Sequence, residues 1–158
     1  MDLILWRHAD AEDAGPDQAD GERRLTELGH DQARRSAHWL ARHLPASATI
    51  LVSPARRVLQ TVEPLGRDFR VEQAIAPGCS PQALLKAVGW PVAKGPVLVV
   101  GHQPTLGLVA SLLLSGRLQH WTVGKSNVWW ISGDGGAEDP YGPDSAWLRA
   151  MIAPELLD

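Results

Sequence analysis

The chain has 158 residues, enough to bury a core without staples, and a single domain over 1–158 is expected. A formal net charge of −3 at pH 7 excludes the basic face of a nucleic-acid binder and the polybasic cluster of a membrane-surface protein. Cys79 is the single cysteine, which excludes an intramolecular disulfide; with no bilayer-length apolar run and no secretory pattern at the N-terminus, a cytoplasmic protein is expected.

Leu3 to Trp6 is a continuous apolar run, the pattern of a strand covered on both faces, and it ends on Arg7–His8. Asp10 to Glu22 is polar, carries Gly15, Pro16 and Gly21, and reads as a loop. Thr26 suits a helix N-cap, with Glu27 near the positive end. Ala33, Ala37, Leu40 and Leu44 then repeat at helical spacing, and Pro45 ends the element. Thr49 to Val52 is a second short β-rich run. In "SPARRVLQTVEPL", Ser53 suits an N-cap and Pro54 the first helical turn; Val58, Val62 and Leu65 share a face, and Pro64 should kink or end the helix. Arg70 to Gly78 reads as irregular chain or a minor strand, and Pro81 to Val88 as a short helix.

"GPVLVVGHQPT" holds the clearest strand, ending at Gly101–His102. Leu106, Val109, Ala110, Leu113 and Leu114 mark the helix after it, closed by Gly116. Val128 to Ser132 and Ala146 to Ile152, separated by a Gly/Asp/Pro-rich loop, read as a strand pair at one side of the sheet. Strands that alternate with helices predict a three-layer α/β fold with a mostly parallel sheet.

Open α/β sheets carry their sites beyond the carboxyl ends of the strands. Three predicted strands end on Arg7–His8, on Ser53–Pro54 with Arg57 one turn into the helix, and on Gly101–His102. On one sheet edge, these would gather two guanidiniums and two imidazoles beside two helix N-termini. Each block alone has a plain structural explanation: a surface stop, a helix start, a strand-to-helix turn. The Gly-His turn lacks the lysine and glycine spacing of a P-loop. His30, His38 and His43 read as surface residues, and His120 has no readable context. The tryptophans, Trp6, Trp129 and Trp130 among them, read as packing residues, and Cys79 as a loop residue. No metal is expected, because His8 and His102 come with arginines rather than a set of carboxylates.

Taken together, "RHADAE", "SPARRVLQT" and "VGHQP", each at a strand-to-helix transition, resemble the histidine phosphatase superfamily, which includes the phosphoglycerate mutases. Small size and the "RLTELG" context resemble its SixA-type phosphohistidine phosphatases, across nearly the whole chain. The resemblance implies a phosphoglycerate mutase-like fold with no cap domain. It makes His8 the nucleophile that becomes phosphorylated, Arg7 and Arg57 ligands of phosphate oxygens, and His102 a second phosphate-binding, transition-state-stabilising histidine. It implies a metal-independent hydrolase with no cofactor.

That chemistry requires a neutral His8. Nearby arginines should lower its pKa, and one ring nitrogen should donate to a backbone carbonyl. Arginine forks match the three equatorial oxygens of a transferring phosphoryl group, and the helix start near Pro54 adds its positive end. Relatives acting on phosphate esters place an acid after the second-block helix. Here that segment reads "RVEQAIAPGCSP"; Ala74 falls at the aligned position and Glu72 is its only carboxylate. Asp20 is the other candidate general acid, and Asp10 a weaker one. Phosphohistidine needs such an acid less, because its leaving imidazole is a better leaving group than an alkoxide.

The short stretch before the "GPVLVV" strand predicts a shallow, open site. The expected substrate is therefore phosphohistidine on a partner protein, a histidine-phosphotransfer domain or a phosphocarrier, with phosphate as product and a role in signal transduction. A monomer is expected. The alternatives are a small-molecule phosphomonoesterase or mutase of the same superfamily, and a non-catalytic module that docks phosphoproteins.

Overall fold

The run from Leu3 to Trp6 is buried without remainder, and it forms a strand because both of its faces meet apolar layers. In the computed structural model, which describes residues 1–142 and 144–158, this strand is β1 (Asp2–Arg7). The others are β2 (Thr49–Val52), β3 (Arg70–Val71), β4 (Val97–Gly101), β5 (Val128–Gly133) and β6 (Ala146–Ile152). They make one six-stranded sheet in the order β3-β2-β4-β1-β5-β6. The strands β3, β2, β4 and β1 run parallel, while β5 is antiparallel to β1 and β6 to β5. The mostly parallel sheet and the strand pair at one side are thus as the alternation of elements predicts.

Alternating side chains of the strands feed two cores. Leu3, Leu5, Leu51, Val97 and Val99 point to one, closed by α3 (Pro81–Val88) and α4 (Thr105–Ser115). Ile4, Trp6, Ile50, Val52, Leu98 and Val100 point to the other, closed by α1 (Glu27–His43) and α2 (Arg56–Val62). The result is three layers, and among the described residues no added cap lies over the sheet.

The helix boundaries follow local chemistry. Thr26 caps α1, its hydroxyl accepting from the Gly29 N–H at 3.0 Å, and Ser80 caps α3 in the same way. Gly116 closes α4 in the left-handed region, at φ 70°. The helix of the second block ends at Val62, and Pro64 lies in the 3₁₀ turn Glu63–Leu65 that follows. The segment between α2 and α3 contains the minor strand β3 and a 3₁₀ turn at Gln73–Ile75.

Two expectations fail. Ser53 does not cap α2: the helix begins at Arg56, so the cap position falls on Ala55, which has no side-chain oxygen, while the Ser53 hydroxyl pairs with His102. The positive helix end therefore lies beyond Pro54. Trp147, on the edge strand β6, is 55% exposed rather than packed.

Candidate active site

The carboxyl ends of β1, β4 and β2 are neighbours, and the backbone locks them in register past the strands themselves. The His8 N–H donates to the Gly101 carbonyl at 3.0 Å, and the Ser53 N–H donates to Val100 at 3.1 Å. Arg7–His8, Ser53 and His102 are thereby fixed at one edge, with Arg57 one turn into α2. The rings of His8 and His102 lie 5.4 Å apart between centroids. Arg57 Nη2 lies 3.3 Å from His102 Nδ1. Arg57 is 4% exposed, His102 5% and His8 8%.

The protonation of His8 follows from one contact. Its Nδ1 lies 2.8 Å from the Ala9 carbonyl oxygen, which can only accept. The ring proton of the neutral imidazole is therefore on Nδ1, and the lone pair is on Nε2. Burial pushes the His8 pKa down to about 4, against the hydrogen bond to Ala9, and the charges of Arg57, Arg7 and Arg23 push it the same way as burial. The arginines were the expected cause; burial is the larger one. His102 falls to about 3, first through burial and then through Arg57. Both imidazoles are neutral at pH 7.

Arg7 and Arg57 are anchored and incompletely satisfied. Arg7 Nη1 donates to the Val123 carbonyl at 2.9 Å, and Arg57 Nη1 to the Asp20 carbonyl at 2.9 Å. The Nε of each is buried with no hydrogen-bond partner. Buried donors left unpaired are costly, and their natural complement is an oxyanion. A neutral imidazole with a free lone pair beside two such guanidiniums can attack phosphorus and hold the transferred group.

The candidate acids are placed differently. Asp20 lies at the site, with Oδ2 3.1 Å from Arg57 Nη2 and Oδ1 3.1 Å from Arg23 Nη1. The Arg23 hydrogen bond, helped by Arg57, holds its carboxyl below the ordinary range. Asp10 bonds Lys125 and the Thr26 hydroxyl, and Lys125 above all keeps its pKa low. Glu72 accepts from the Ala74 N–H at 3.0 Å and pairs with Arg70; neither bond reaches His8, Arg7, Arg57 or His102. Ala74 lies in the 3₁₀ turn. Among the described residues, no three of His, Cys, Asp and Glu gather as a metal site would require.

Several supporting residues escaped the sequence reading. Thr61 accepts from the Ala9 N–H at 3.0 Å and donates to the Arg57 carbonyl at 2.7 Å, tying the two blocks together. Gln60 Oε1 accepts from the Leu25 N–H, and Arg23 Nε donates to the Glu12 carbonyl. Thr61 and Gln60 belong to the quoted "SPARRVLQT" block, so that block was visible but the roles were not. The segment after α4 had no signal at all. There the Ser126 N–H donates to the His8 carbonyl at 3.2 Å, from a left-handed φ of 56°. The Asn127 carbonyl receives the Arg7 N–H.

Similarity to known proteins bears on the family and the fold. A profile of the histidine phosphatase superfamily (branch 1) matches residues 3–79. The phosphohistidine phosphatase SixA of Escherichia coli K12 is 32% identical over 128 residues, covering 74% of this chain and 76% of its own. An uncharacterised protein of Picosynechococcus is 35% identical over 127 residues, covering 76% and 77%. In structure, the SixA of Agrobacterium tumefaciens aligns over 97% of both chains with a TM-score of 0.79 at 24% identity. That last likeness concerns the fold.

Proposed function

The chain belongs to the histidine phosphatase superfamily, and from that premise we propose that it is a phosphohistidine phosphatase acting through a phosphorylated His8. His8 Nε2 attacks phosphorus of a phosphohistidine carried on a partner protein, a histidine-phosphotransfer domain or a phosphocarrier. The bond from phosphorus to the partner's imidazole breaks, and that imidazole leaves with a proton from solvent. Water then attacks phospho-His8, its phosphorus–nitrogen bond breaks, and phosphate departs. Arg7, Arg57 and His102 hold the phosphoryl oxygens in both steps, and the unpaired Nε of each arginine supplies further donors.

One observation carries the choice of substrate class. The three carboxylates weighed as acids are committed as acceptors: Asp20 to Arg23 and Arg57, Asp10 to Lys125, Glu72 to a backbone N–H and Arg70. An alkoxide leaving group needs a proton that such groups do not hold. A phosphohistidine imidazole does not make that demand. The absence of a cap over the sheet suits a substrate presented by another protein, as does the identity with a phosphohistidine phosphatase.

The test compares a phosphohistidine protein with sugar phosphates and phosphoglycerate. Phosphate release from the phosphoprotein is expected to dominate, with His8→Ala lowering it by on the order of 10⁶-fold, the scale for removal of a catalytic nucleophile. Ester hydrolysis that is faster and depends on Asp20 or Glu72 would instead identify a phosphomonoesterase.

A further inference from the structure

Ser53 is wholly buried at the end of β2, and its hydroxyl lies 2.7 Å from His102 Nε2. The other ring nitrogen, Nδ1, is the one that faces Arg57 Nη2 at 3.3 Å. A guanidinium can only donate, so Nδ1 is an acceptor here and the ring proton is on Nε2, given to Ser53. A phosphoryl oxygen, however, can only accept. For His102 to hold one, the proton has to be on Nδ1.

From this juxtaposition we propose that Ser53 is a positioning residue that lets His102 exchange tautomers when a phosphoryl group or phosphate occupies the site. The inference rests on the proposed phosphate-binding role of His102. A hydroxyl is both donor and acceptor, so it serves either form. In the free protein it accepts from Nε2–H. With the anion in place, one proton leaves Nε2 for solvent, one is taken from solvent at Nδ1, and the Ser53 O–H rotates to donate to the Nε2 lone pair. The ring, beside His8, Arg7, Arg57 and Asp20, is neutral before and after the exchange and carries charge only in passing between the two tautomers. A carboxylate in place of Ser53 could only accept, and would demand either the wrong tautomer or a charged ring. The other contact of Ser53 Oγ is the long bond from the Ala55 N–H at 3.4 Å, which leaves the hydroxyl free to turn.

The experiment uses the full chain and tungstate as an unreactive phosphate analogue. The ring nitrogens of His102 are read by ¹⁵N NMR with and without tungstate. The expected pattern is Nε2–H in the free protein and neutral Nδ1–H in the complex. An unchanged pattern, or an imidazolium in the complex, overturns the proposal. Ser53→Ala is expected to weaken tungstate binding about tenfold, the scale of a buried nitrogen left without its donor, and Ser53→Thr to restore most of it. Equal affinity in Ser53→Ala, or equal loss in two folded variants, also overturns it. Tungstate binding involves no phosphohistidine. A tautomer exchange seen without phosphoprotein turnover would therefore remove the substrate reading and leave this inference standing.

Discussion

At the scale of single residues, charge state decides role. Two guanidiniums keep Asp20 a carboxylate, and it occupies Arg57, which the proposed function gives to a phosphoryl oxygen. Asp20→Asn removes that charge. The variant is expected to bind inorganic phosphate up to about fivefold more tightly, the range for an ion pair whose carboxylate is exposed, without losing phosphohistidine turnover. Inhibition constants measured for phosphate would show this; a fall in turnover would restore Asp20 as the acid. His8 has a simpler expectation. With its pKa pushed down to about 4, the imidazole is already neutral at pH 5.5. The rate of the first phosphoryl transfer should therefore show no His8 titration near pH 6.5, and should fall only as the pH approaches 4. A rapid-quench profile of phospho-His8 formation that bends near 6.5 would contradict this.

At the scale of elements, the site depends on how closely α1 approaches the segment after β1. Gly29, in the first turn of α1, packs so tightly on the Asp10 carbonyl that a Cβ there would overlap it. The same carbonyl receives the Thr26 N–H, and Asp10 is two residues from His8. Gly29→Ala is expected to cost about 1–3 kcal/mol of stability, because the overlap is with backbone and cannot be relieved by a rotamer. Turnover should fall with it, since any yielding displaces the chain at His8. Denaturant melts and initial rates on the same preparation check both parts. Nothing in "TELG" announces this contact. Glycine there is also compatible with an ordinary helix start, and the reason for it lies across a loop.

At the scale of the whole molecule, the two buried imidazoles make stability depend on pH. Their folded pKa values, about 4 and about 3, lie below the unfolded value near 6.5. Between those limits the unfolded chain binds protons that the folded chain refuses. Stability therefore decreases as the pH falls from 6.5 toward 4, by at most about 1.4 kcal/mol per pH unit for each histidine. Thermal melts from pH 7 to 4.5 should show the decline, and a double His8→Gln, His102→Gln variant should flatten it. An equally steep decline in the double variant would assign the effect to carboxylates instead.

The sequence by itself determined the alternation of elements, the continuous apolar strands, the polar ends Arg7–His8, Ser53 and Gly101–His102, and through their combination the family. These are local facts, set by periodicity and by residue type at a strand end. Only the tertiary structure decided what those ends do to one another. The placement of β4 between β2 and β1 brings His102 against both Arg57 and Ser53, and turns Ser53 from an expected helix cap into a partner of the ring. Burial in that assembly, more than the neighbouring charges, makes His8 neutral. Arg23 and Ser126 joined the site through loops whose course no short-range pattern encodes. Hydrogen-bond donors, acceptors and charges acquire their state from what surrounds them in space, and for this site most of those surroundings come from distant parts of the chain.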